Sequence, residues 1–211
     1  MKIQKLPWKI RCVIYDCDGV LFDSLEANGR LYHDVSAAIG RPPLSPDELR
    51  YIHSHTVFEA VHHISMNDPD LEERAKEALK RIDFKHYIRF LRMEPHLLET
   101  LTRLKEKGIL RAINTNRTTS MKFIMEDFKL RPYVDMVVTA LDVKRPKPHP
   151  ESVKRILDAF ALQKEEAVFV GDSEVDQQAA MAAGVRFIVY KSRDVANEHF
   201  IEDHLDLLKI V

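Results

Sequence analysis

Cysteine is scarce in this chain: only Cys12 and Cys17 occur in 211 residues. Extended backbone between them spans roughly 16 Å, beyond the reach of a disulfide. A disulfide framework is therefore excluded, and the pattern fits a reducing compartment, so a cytoplasmic location is expected. An excess of charge of one sign is also missing. Lys and Arg number 32 against 33 Asp and Glu, a formal net charge of -1, and no long block carries a single sign. A nucleic-acid partner ordinarily leaves a basic stripe, and none of weight is present. Long hydrophobic runs are absent too. Nothing approaches the roughly 20 apolar residues of a membrane-spanning helix, so no membrane partner is expected. The apolar run nearest the N-terminus is short, contains Arg11 and is followed by Asp16, so no signal peptide is expected. There is no internal repeat and no low-complexity tract.

What is present is ordinary for a globular protein: 45% hydrophobic and 31% charged residues. The length allows one substantial core, or a core with a small second domain. The most informative stretch is Asp16-Cys17-Asp18-Gly19-Val20-Leu21-Phe22-Asp23-Ser24. It follows an apolar run from Ile10 to Tyr15 that reads as a buried strand. A strand that stops at two carboxylates and a glycine suggests a reactive edge, because ligands collect at the carboxyl ends of parallel strands. Two acids two residues apart repel, and a divalent cation or a proton would relieve that. A plain strand followed by an Asx-type turn is the competing explanation.

After Asp23 the pattern is helical as far as residue 90. Leu31, Val35, Ala38 and Ile39 share a face that Gly40 ends. Capping boxes at Ser45/Glu48 and Thr56/Glu59 open two further helices, and Asp68-Pro69 opens another. From Leu91 onward, helix and strand alternate. Pro95 is expected in the first turn of a helix carrying Leu97, Leu98, Leu101 and Leu104. Strands are expected over 109–114, 134–140, 167–170 and 185–190, with helices between them. The tail from Phe200 to Val211 is expected to be one short helix. Repeated strand–helix units imply right-handed crossovers and a parallel sheet. The fold class is thus α/β, a Rossmann-like parallel sheet core over 1–22 and 91–211 with an all-helical cap inserted over 23–90. A two-stranded hinge near Asp23 and Leu91 would let the cap act as a lid.

Four strand ends supply polar residues to one edge: Asp16 and Asp18; Thr115 and Asn116; Lys147 in the loop after the third strand; and Asp172, with Ser173 and Asp176 just inside the next helix. Carboxylates, a hydroxyl, an amide and one lysine are what phosphoryl transfer needs: a nucleophile, ligands for magnesium, and donors for equatorial oxygens. Ser173 and Asp176 also match a helix-capping pattern, and both roles can coexist. Thr115 alone could be a turn residue, and Lys147 alone a solvated loop lysine.

Four segments carry a resemblance to a known family. Asp16-x-Asp18-Gly-Val-Leu-Phe-Asp-Ser, Thr115-Asn116, Lys147-Pro-x-Pro-Glu151 and Gly171-Asp172-Ser173-x-x-Asp176-x-x-Ala-Ala-x-Ala-Ala-Gly-Val are similar to the four motifs of the haloacid dehalogenase superfamily. The branch that resembles it most contains phosphoglycolate phosphatases and β-phosphoglucomutases, which carry a helical cap. The resemblance implies that Asp16 is a nucleophile forming an aspartyl-phosphate and that Asp18 is the general acid and base. It implies magnesium on Asp16, the Asp18 backbone carbonyl and Asp172. Thr115 and backbone N–H groups after Asp16, including Gly19, would hold phosphate oxygens with Asn116 nearby, and Lys147 would neutralise charge.

Cys17 is not expected to act as a nucleophile. A cysteine-based phosphatase wants an arginine six positions on, and position 23 is Asp. Histidines 53, 55, 62 and 63 offer no pair with the spacing of a metalloprotease zinc site. Arg50 and His53 are candidates to read the substrate from the cap, or else are solvated helix surface. The leading expectation is a Mg2+-dependent phosphatase acting on a small phosphorylated metabolite. Dehalogenases of the superfamily lack an acid two residues after the first aspartate, so Asp18 argues against that chemistry. A sugar phosphomutase and a non-catalytic phospho-ligand binding module are the alternatives. Net phosphate release separates the first from both. The oligomeric state is not legible.

Overall fold

The computed structural model describes residues 9–196 and 199–211. In chain order it contains β1 (Cys12–Tyr15), β2 (Phe22–Asp23), α1 (Leu25–Ala38), α2 (Pro46–Ser54), α3 (Val57–Ile64), α4 (Pro69–Arg81), α5 (Lys85–Ile88), β3 (Arg92–Met93), α6 (Leu97–Glu106), β4 (Leu110–Asn114), α7 (Ser120–Asp127), β5 (Met136–Val138), α8 (Glu151–Ala159), β6 (Ala167–Gly171), α9 (Glu174–Ala183), β7 (Arg186–Tyr190), β8 (Phe200–Ile201) and α10 (His204–Leu207). Two compact units divide at the short strands: Asp23–Arg92, and the residues on either side of it.

In the larger unit six parallel strands run in the order β5-β4-β1-β6-β7-β8. Every residue of β1 and β6 is buried, as expected of central strands covered on both faces. The chain builds outward from β1 through β4 to β5, then re-enters at β6 on the other side of β1. Such a reversal leaves a crevice at the carboxyl ends of the strands beside β1. One face of the sheet is sealed by α8 and α9 through Val153, Ile156, Leu157, Ala179 and Ala180, which pack on Cys12, Ile14, Ala112 and Phe169. The small side chains of α9 let it lie close to the sheet.

Arg111, inside β4, is 4% exposed. Its charge is compensated by Asp135 at 2.9 Å and by the carbonyls of Tyr133 at 3.0 Å and Ile109 at 2.6 Å. A buried guanidinium is tolerated only with its donors satisfied in this way.

The smaller unit is all helical. Leu31, Val35, Ile52, Ala60, Val61, Ile64 and Ala75 form its own core. Ser45/Glu48 and Thr56/Glu59 both close full capping boxes, and Asp68 caps α4 by accepting from Asp70 N and Leu71 N. Where the chain enters and leaves the unit, β2 and β3 pair as a two-stranded ribbon.

Three expectations are corrected. The tail is not one helix: β8 joins the sheet edge beside β7 before α10 begins. Two residues are too few to show a period of two. The strand expected over 134–140 shrinks to Met136–Val138, because Thr139 caps a short helical turn by accepting from Leu141 N. Pro95 lies before α6 and not in its first turn, since His96 takes a left-handed φ of 57° at the cap position.

Candidate active site

Asp16, Thr115 and Asp172 each follow the last residue of a strand, β1, β4 and β6, and Lys147 sits in the loop between β5 and α8. Asp16 is 8% exposed and Lys147 3%. The Lys147 ammonium lies 2.7 Å from Asp16 Oδ1 and 2.6 Å from Asp176 Oδ1. Burial pulls that ammonium toward neutrality, but the carboxylates of Asp16 and Asp176 outweigh it and hold the lysine charged.

The other oxygen of Asp176 accepts from Ser173 Oγ at 2.7 Å, while Ser173 Oγ accepts from Asp176 N at 3.3 Å and so caps α9. Asp176 therefore belongs to the helix start and also anchors the lysine. The loop that carries Lys147 is held from two sides. Asn116 donates to the Lys147 carbonyl and accepts from its N–H, each at 3.1 Å. Glu151 accepts from Lys144 N at 2.8 Å and Arg145 N at 3.2 Å. Asn116 thus positions Lys147 through its backbone, a task its place in the sequence did not suggest.

Oxygens of Asp16, Asp172 and Asp176 come within 4.8 Å of one another. Burial, then the neighbouring charge of Asp176, pushes the Asp16 carboxyl up to about 7 against the favourable effect of Lys147. Asp172 is raised well above the usual carboxylate range for the same reasons, burial first and then Asp176 and Asp16. Among the described residues Asp172 has no hydrogen-bond or ion-pair partner. One ammonium beside three crowded acids leaves negative charge uncompensated, and oxygen donors suit a hard divalent cation. The donor set therefore fits magnesium.

Gly19 contributes differently from expectation. Its N–H donates to the Phe22 carbonyl at 2.8 Å, so it is not available to a phosphate oxygen. What the position demands is the absence of a side chain. Its φ is +69°, and a Cβ there would overlap the Asp172 carboxylate. Thr115 is buried, donates its N–H to the Val138 carbonyl at 3.0 Å, and accepts at Oγ1 from Arg117 N at 3.1 Å. Burial, and next the charge of Asp18, raises the Cys17 thiol far above its ordinary value. It stays a neutral thiol between the two acids.

Sequence reasoning missed Arg117. Its Nε donates to Asp18 Oδ2 at 2.7 Å and its second terminal nitrogen to Asp18 Oδ1 at 2.5 Å. The only hint was its place directly after Thr115-Asn116. In the helical unit, Arg50 pairs with Asp47 within α2, and a ring nitrogen of His53 meets the Asn28 side chain at 3.3 Å.

A Gly19→Ala substitution tests the close approach to Asp172. A non-glycine residue at this φ costs about 1–2 kcal/mol, so the urea midpoint falls. Magnesium affinity falls as well, because Asp172 is displaced. Unchanged magnesium binding, measured by calorimetry on the folded variant, would contradict this placement.

The family model for haloacid dehalogenase-like hydrolases matches residues 13–190. The crystal structure of a HAD-superfamily hydrolase, subfamily IA, variant 1, from Geobacter sulfurreducens PCA is 38% identical, with a TM-score of 0.76 over 94% of this chain and 95% of that one. A phosphoglycolate phosphatase of Rhodobacter capsulatus is 28% identical over 84% of this chain and 83% of its own length. A pyrophosphatase PpaX of Bacillus pumilus is 25% identical over 84% and 81%. With the strand-end acids, the buried lysine and the helical insertion in place, this chain belongs to the haloacid dehalogenase-like hydrolase family.

Proposed function

We propose that this enzyme is a magnesium-dependent phosphatase that hydrolyses a small phosphorylated metabolite through a covalent intermediate on Asp16. The observation that carries this is the Lys147 ammonium seated between Asp16 and Asp176, with Asp172 beside them. It leaves one carboxyl group at the end of β1, oriented by the lysine to act as the nucleophile. The named relatives support a small substrate, since phosphoglycolate and pyrophosphate both carry a second anionic group next to the phosphoryl group that leaves.

A carboxylate oxygen of Asp16 attacks phosphorus, and the bond to the leaving oxygen breaks as that oxygen takes a proton from Asp18. Water then gives its proton to Asp18 and attacks phosphorus, releasing inorganic phosphate and restoring Asp16. Thr115 and Lys147 stabilise charge on the transferring oxygens. Asp16, Asp172 and the Asp18 backbone carbonyl would hold magnesium, whose charge offsets the repulsion between carboxylate and phosphate.

A panel of phosphorylated small molecules assayed with magnesium tests the reading. Release of inorganic phosphate from at least one of them is expected. It should fall at least about a thousandfold in Asp16→Asn, assayed on protein whose fold is confirmed by circular dichroism. Binding without release across the whole panel would favour a phospho-ligand binding module, and transfer within a sugar phosphate would favour a mutase.

Metal binding has its own signature in pH. The Asp16 carboxyl is held up at about 7 in the fold against an ordinary 3.8. Between those values the folded protein binds more protons than the unfolded chain, so in chelator stability falls as pH rises through the window. Magnesium requires the carboxylate form. Its stabilising effect is therefore small near the lower value, grows through the window, and is complete above it. Thermal melts with magnesium and with EDTA should converge in acid and separate at neutral pH. Equal separation at both ends would show that these acids do not bind the metal.

A further inference from the structure

Asp18 and Arg117 lie 99 residues apart in sequence and meet in a two-pronged ion pair, Nε to Oδ2 at 2.7 Å and a terminal nitrogen to Oδ1 at 2.5 Å. Their side chains are 17% and 13% exposed, so the pair is shielded from much of the solvent. The arginine is itself held in place. Its N–H donates to Thr115 Oγ1 at 3.1 Å, and its carbonyl accepts from Ala140 N at 3.1 Å. Its remaining terminal nitrogen reaches Ser120 Oγ at 3.4 Å. A planar guanidinium fixed at its backbone and along its fork imposes one orientation on a carboxylate.

A purely structural staple between the two loops is the simpler explanation. Yet β1 and β4 are already paired over four residues directly before these loops, so a staple adds little there. What the fork does add is control of where the Asp18 oxygens point. Each carboxylate oxygen has two lone-pair directions, and the fork occupies one on each.

We infer that Arg117 is a positioning residue for proton transfer, holding the Asp18 carboxyl where it meets the leaving oxygen and then the attacking water. This rests on the assignment of Asp18 as acid and base. A small misplacement of a reacting group costs up to about a hundredfold in rate. The loss should depend on the leaving group. An alkoxide is strongly basic and needs a proton as it leaves, whereas p-nitrophenolate departs without one.

The test compares kcat/KM for an alkyl phosphomonoester and for p-nitrophenyl phosphate, since this ratio reports the steps through phosphoryl transfer to Asp16. Wild type is compared with Asp18→Asn, Arg117→Ala, Arg117→Lys and the double variant Asp18→Asn/Arg117→Ala. Arg117→Ala should lower kcat/KM on the alkyl ester on the order of 10- to 100-fold. On p-nitrophenyl phosphate it should lower kcat/KM less than about threefold. Arg117→Lys keeps the charge but not the fork, and should recover only part of the loss. The double variant should be no slower than Asp18→Asn alone. Equal losses on both substrates in Arg117→Lys, which preserves the ion pair's charge balance, would overturn the inference. So would additive losses in the double variant. If Asp18→Asn itself shows no dependence on the leaving group, the assignment of Asp18 fails. If it shows that dependence and the arginine variants do not, only the role given to Arg117 fails.

Discussion

A single buried ammonium holds the reactive edge of this protein together. Lys147 is nearly inaccessible to solvent and lies against both Asp16 and Asp176. Burying any one of these charges alone would be prohibitive, and removing one partner of such a set leaves the others uncompensated. The surrounding structure is accordingly built to keep the lysine in place. Asn116 brackets its peptide unit, Glu151 gathers the N–H groups that precede it, and Ser173 secures the far carboxylate at the start of α9. Residues that follow four strands, β1, β4, β5 and β6, thus join in fixing one lysine.

The same electrostatic problem recurs two residues later. Asp16 and Asp18 would repel if both were left without counter-charges, and each receives a different cation from a different loop. Lys147 serves Asp16 and Arg117 serves Asp18. The chemistry proposed for them also differs, since one carboxylate attacks phosphorus and the other moves protons. Asp172 receives no such partner among the described residues, and magnesium suits that place. Cys17, lying between the two acids, is kept neutral by its burial.

Much of this was legible in the sequence because it is local. Apolar runs ending in Asp16 and Asp172 marked β1 and β6, and the boxes at Ser45/Glu48 and Thr56/Glu59 marked helix starts within three residues. The Ser173/Asp176 spacing showed the cap at α9 but not the lysine beyond it. What stayed hidden depends on distant pairing or on backbone direction. The partner of Asp18 is 99 residues away. The amide of Gly19 turns back to Phe22, and Asn116 turns to the peptide of Lys147. At the opposite edge, β8 is too short to carry a pattern and exists because β7 offers it an open edge.

The proposed chemistry requires that the carboxylate beside Lys147 become bonded to phosphorus. Turnover with magnesium, quenched in acid and followed by peptide mass spectrometry, measures this directly. One phosphoryl group on the peptide containing Asp16, localised to that residue and removed by hydroxylamine, is the result predicted. Quenched samples in which phosphate is being released but Asp16 remains unmodified, with the phosphoryl group on another residue, would contradict it.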